Sequence, residues 1–156
     1  MATVFDVASY ILTSAGEMTA MKLQKLVYYS QAWSLVWRER PLFEEQIEAW
    51  SGGPVVPALY SRHRGQFIVG PAIVADGNPR NLDQSEQSSI TAVLDFYGKH
   101  TAQWLSDLTH LERPWIDARE RAQAPAGAQC AEVITTADMV EYYSGLMANA
   151  ATQTIS

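Results

Sequence analysis

Few residues in this 156-residue chain have the type and spacing that chemistry needs. Thr109, His110 and Glu112 set an imidazole two positions from a carboxylate, the pairing a general base and its orienting acid would use. A histidine bonding a neighbouring carbonyl near a helix end accounts for the same residues without catalysis. A small hydrolase or transferase built on His110 and Glu112 is therefore one alternative reading. His63 lies between Arg62 and Arg64, where cations oppose the negative end of a helix dipole or meet an anionic partner. Cys130 is the single cysteine, which excludes an intrachain disulfide, and no histidine or basic residue stands near it to activate it as a nucleophile. There is no glycine-rich phosphate loop, no G-x-S-x-G elbow and no histidine pair at ligand spacing, so no cofactor and no metal are expected.

The elements that must position these residues are mostly helical. Val4, Val7, Ala8, Ile11 and Leu12 recur at helical spacing, Thr3 and Asp6 form a capping box, and Gly16 stands at the C-terminal stop, which predicts a helix over about 3–15. Thr19 caps a second helix whose inward stripe includes Leu23, Leu26, Val27, Ser30, Trp33, Ser34 and Trp37, ending before Pro41. Alternation over 43–50, with Phe43, Ile47 and Ala49 on one side, predicts a short strand, and a partner for it is expected among extended pieces at 66–74. Ser51-Gly52-Gly53-Pro54 breaks that strand, and a helix then runs through Leu59 and Tyr60 to Gly65. Asp83 and Glu86 cap a third long helix over about 84–97. Further helices are expected at about 101–111, from Pro114 and after Thr135, with a small-residue loop over 122–131. The fold class that results is mainly α, one compact domain over 1–148 with a small β element, followed by a flexible tail at 149–156.

Composition narrows the function classes. Apolar residues make up 47% of the chain and charged ones 18%, enough to support a packed core. No apolar run approaches the roughly 18–20 residues of a membrane-spanning helix, and no signal-like start is present, so a cytoplasmic protein without membrane contact is expected. The net charge of −6 is uneven. Residues 1–70 hold six basic and six acidic side chains, and 71–156 hold five and eleven. Nucleic-acid binding needs a basic footprint that such a chain lacks.

One candidate surface lies in the first half. Steps of three and four residues bring Lys22, Lys25 and Tyr29 to one face of the second helix, away from its apolar stripe. Trp50 projects from the outward side of the strand, and Tyr60, Arg62 and Arg64 follow on the next helix. Aromatic and basic residues of this kind dominate binding hot spots. Trp33 and Trp37 fall on the stripe and are assigned to the core.

Met21-Lys22-Leu23-Gln24-Lys25-Leu26-Val27-Tyr28-Tyr29 is followed in order by Pro41-Leu42-Phe43, Ile47-Glu48-Ala49-Trp50, Gly53-Pro54-Val55-Val56-Pro57, Leu59-Tyr60, Thr109-His110 and Pro114-Trp115. In this series the chain resembles the Panacea domain family, also described as SocA-like antitoxins and as phage-associated GepA-like proteins. The likeness runs from about residue 4 to residue 147. The resemblance implies a non-enzymatic antitoxin encoded beside a toxin gene in a bacterium or prophage, neutralising that toxin by protein contact. Some members instead deliver the toxin to a cytosolic AAA+ protease as adaptors, which is the alternative reading. Many relatives carry an added helix-turn-helix domain; no such segment stands in this sequence, and direct DNA binding is not expected. The motif strings map mainly onto core and turn positions, so the toxin-contact set Lys22, Lys25, Tyr29, Trp50, Tyr60, Arg62 and Arg64 follows from chemistry and expected exposure. Self-association is left open.

Overall fold

The computed structural model describes the backbone of residues 1–155 and the side chains of residues 1–150. The expected tail at 149–156 falls mostly outside the described side chains.

Helix α1 (Val4–Ala15) starts where the sequence predicts, with the Asp6 N–H donating to Thr3 Oγ1 at 3.3 Å and the Thr3 N–H donating to Asp6 Oδ2 at 2.9 Å. Strand β1 (Met18–Thr19) leads into α2 (Ala20–Trp37), capped by the Thr19 hydroxyl. Strands β2 (Glu48–Trp50) and β3 (Gly53–Val55) form an antiparallel hairpin around Ser51-Gly52, and α3 (Pro57–His63) follows. Strand β4 (Ile68–Val69) returns to pair with β1. Two 3-10 turns (Pro71–Val74 and Pro79–Asn81) lead to α4 (Gln84–Tyr97), with its capping box of Asp83 and Glu86, then α5 (Ala102–Thr109), α6 (Arg113–Arg121) and α7 (Thr136–Ile155). The architecture is mainly α.

Two strand expectations are corrected. The strand near 43–50 is confined to Glu48–Trp50, and its partner is Gly53–Val55, not 66–74. Within 66–74, Ile68–Val69 pairs with β1 and Pro71–Val74 coils into a 3-10 turn. Pro54 makes β3 look like a loop in the sequence, because a proline cannot donate to a sheet ladder. Here it sits opposite Ala49, whose N–H points outward to Glu132 O at 2.9 Å. That register position asks nothing of the Pro54 nitrogen.

Helix α2 is the axis of the molecule, packed against α1, α4, α5 and α7. Every residue from Leu23 to Leu35 is buried, so the amphipathic stripe read from the sequence understates it. A helix enclosed on all sides is normally apolar all round. This one carries polar side chains inward and uses them as splints for the irregular chain at 40–56. Gln31 accepts from the Leu42 N–H at 2.7 Å and donates to Phe43 O at 2.8 Å. Gln24 accepts from the Val56 N–H at 2.9 Å, and Ser34 donates to Arg40 O at 2.8 Å. Buried polar groups satisfied in this way fix one conformation of a segment that has little regular structure of its own. Trp33 is buried as expected, but Trp37 is exposed at the far end of the helix.

Candidate functional site

The motif at the start of α2 serves two places at once. Its Tyr28-Tyr29 pair turns into a sealed aromatic cage, and its Met21, Gln24 and Lys25 turn toward the β2–β3 hairpin.

In the cage, the hydroxyls of Tyr29 and Tyr143 both donate to Glu112 Oε1, at 2.7 and 2.8 Å. The Tyr28 and Tyr143 hydroxyls are 3.0 Å apart, and Trp33 Nε1 donates to the Tyr97 hydroxyl at 2.9 Å. Tyr29 stacks on Tyr97 with ring centroids 4.0 Å apart. Burial pushes the Glu112 carboxyl up to about 7, against the two phenol donors that favour its charged form. His110 is not its partner: the imidazole stacks on Trp115 at 4.1 Å, and its buried Nε2 has no hydrogen-bond partner. The structure thus separates the two residues of the sequence-derived catalytic pair.

The second place is an open groove of about 820 Å³ between the N-terminal turns of α2, the hairpin and α3. Trp50 and Tyr60 meet edge to face at 4.9 Å on one wall, and Tyr60 packs on His63 at 5.2 Å. Gln24 holds the floor. Its Oε1 takes the Val56 N–H, which leaves Nε2 to donate to His63 Nε2 at 2.9 Å. His63 must therefore accept on Nε2 and carry its proton on Nδ1. Burial and then the Lys25 charge lower its pKa, in keeping with that neutral form. Lys25 Nζ donates to Pro54 O at 3.1 Å, and burial lowers its pKa to about 8. Gly53 is required here: at its φ of +122° a side chain is strained, and a Cβ would stand 2.5 Å from Lys25 Cε. Buried Arg119 fastens the hairpin from behind, donating to Ala49 O at 2.9 Å and to Ala128 O at 2.7 Å.

The expected basic and aromatic face on α2 does not exist as a surface. Lys25 is 1% exposed and Tyr29 is fully buried, because α2 is covered on all sides. Lys22 is half-buried and donates to Gly98 O at 2.6 Å. Arg62 donates through Nη1 and Nη2 to the two carboxylate oxygens of Asp76, at 2.7 and 2.9 Å, and lies over the Phe5 ring, so it closes the fold. Arg64 is exposed beyond the end of α3. Of the seven expected contact residues, the groove brings together Lys25, Trp50 and Tyr60. It adds Met21 and Phe67, which the sequence reading did not single out. The available signal was an aromatic directly after the Gly65-Gln66 turn; the structure leaves Phe67 77% exposed. Among the described residues no group of three His, Cys, Asp or Glu could hold a metal ion, and no helix is long and apolar enough to cross a membrane.

The groove thus combines aromatic edges with a buried cation, on a scaffold splinted from within. Residues 23–116 match the family described as Antitoxin SocA-like, Panacea domain, and the chain belongs to that family. It is 32% identical over 126 residues to a protein named Antitoxin SocA from Caulobacter vibrioides (strain NA1000 / CB15N), a match covering 70% of this chain and 66% of that relative. The chain thus spans just under two thirds of the relative's length. No solved structure matches.

Proposed function

We propose that this chain is an antitoxin that neutralises a cognate toxin, encoded by the adjacent gene, through direct protein–protein binding. The observation that carries this reading is the match of residues 23–116 to the SocA-like Panacea family. The groove supports it. Trp50 and Tyr60 are half-buried aromatics held in fixed orientations, the kind of side chain that anchors an interface at low entropic cost. With the exposed rim of Met21 and Phe67 and with Arg64 beside it, this face can contribute to an interface of the roughly 1,200–2,000 Å² total that stable complexes bury. Tyr29, Lys22 and Arg62 act behind it, holding the scaffold.

The test is co-expression with the product of the adjacent reading frame. Growth rescue together with a co-purifying complex is expected, and growth arrest despite soluble expression of both proteins overturns the reading. Repeating the rescue in a strain without its cytosolic AAA+ proteases separates direct neutralisation, which persists, from delivery to a protease, which fails.

A further inference from the structure

The charge of the groove runs against the charge of the molecule. The chain holds 17 acidic residues against 11 lysines and arginines, yet no aspartate or glutamate lines the groove. Two carboxylates are bonded to lining side chains: Glu48 Oε1 accepts from Trp50 Nε1 at 2.8 Å, and Asp107 Oδ1 accepts from Gln103 Nε2 at 2.8 Å. Beneath the floor the Lys25 ammonium has a carbonyl as its hydrogen-bond acceptor, and among the described residues no carboxylate pairs with it. Low-dielectric walls focus the field of a cation beneath a cleft into the cleft itself. The rim supplies apolar contact, with Phe67 77% and Met21 45% exposed.

We infer that the groove holds an apolar segment of the partner protein that carries a carboxylate, from an acidic side chain or a chain end, directed toward Lys25. This deepens the antitoxin reading and rests on it. The acidic balance of the whole chain would suggest a basic partner surface; the groove selects the opposite charge at one place, and so sets the register of the bound segment.

The experiment uses the complex with the product of the adjacent reading frame, after growth rescue by the unaltered chain has been recorded. Gln66 and Gln129 line the groove, are exposed and make no side-chain hydrogen bond, so their exchange leaves the fold alone. Gln66→Glu and Gln129→Glu are each expected to weaken binding about 3- to 10-fold at 50 mM salt, Gln66→Lys and Gln129→Lys to tighten it several-fold, and both differences to shrink at 500 mM. A photocrosslinking residue at Phe67 is expected to mark the partner segment. One at Trp37, sixteen residues from Met21 along α2 and so roughly 24 Å away, is expected not to. Neutralising an acidic side chain in the marked segment, or amidating a marked chain end, distinguishes the two sources of the carboxylate. Charge-silent Gln66 and Gln129 variants, or tightening by glutamate, overturn the carboxylate; a crosslink from Trp37 without one from Phe67 overturns the groove. Failure of growth rescue by the unaltered chain overturns the antitoxin reading instead.

Discussion

Glu112 and Lys25 are both buried ionisable groups served by the same turn and a half of α2, and they are buried in different ways. Glu112 sits inside the tyrosine cage with two hydroxyls donating to one oxygen, and its carboxyl is poised at about 7. Lys25 lies under the floor of an open groove with one carbonyl, and its ammonium is poised at about 8. A carboxyl held by donors from two helices, α2 and α7, locks a core together. A group with one acceptor and a cleft above it is held at a cost that its own hydrogen bond offsets poorly. On the proposed antitoxin reading the cage holds the fold and the floor serves recognition, a division that variants on each side can test.

The largest effect is expected from Tyr29→Ala. It removes a fully buried ring stacked on Tyr97 and leaves Glu112 with one donor, so a loss of about 3–5 kcal/mol is expected in chemical denaturation. Tyr60→Ala, on the groove wall, is expected to change stability far less while weakening the toxin complex. If Tyr60→Ala unfolds the chain as readily as Tyr29→Ala, the two regions are one core and the division fails.

Next comes Glu112→Gln, read as a stability profile against pH. The folded carboxyl titrates near 7 and the unfolded one at its ordinary 4.5. Between these values the native state binds more protons than the unfolded chain, so stability falls as pH rises from 4.5 to 7 and then levels off. The fall from this one group is of the order of 3 kcal/mol. The glutamine variant keeps an acceptor for Tyr29 and Tyr143 and is expected to lose that slope. An unchanged slope would mean that Glu112 is not the group that titrates in the cage.

The scaffold was more legible in the sequence than the site. The caps at Thr3, Thr19 and Asp83 announce α1, α2 and α4 because their hydrogen bonds are local and need no tertiary partner. The hairpin was hidden by Pro54, whose missing N–H matters only if the register is known. The exposure of Lys25 and Tyr29 was misread because helical periodicity tells which residues share a face, and says nothing of whether a neighbouring element covers that face. Glu112 stood out as a carboxylate near His110, but its partners come from residues 83 and 31 positions away in the chain, a distance at which sequence pattern is silent.

The smallest stability effect, and the sharpest test of the division, is expected from Lys25→Met. Methionine fills much of the same volume and gives up one hydrogen bond, to Pro54 O, a loss of about 1 kcal/mol. Against this stands the relief of a buried charge. The folded amine titrates near 8 and the unfolded one at 10.5. Below pH 8 both states are charged and the native state bears the full burial penalty; between 8 and 10.5 the unfolded chain binds more protons, so the stability of the unaltered protein rises with pH. The methionine variant is therefore expected to match or exceed it at pH 7 and to lose that advantage above pH 10. Binding should move the other way, with the toxin complex weakened at pH 7. A lysine whose removal leaves the fold intact and impairs the complex is kept for the partner. If denaturation instead shows a loss of several kcal/mol at pH 7, Lys25 belongs with Glu112 among the groups that hold the core.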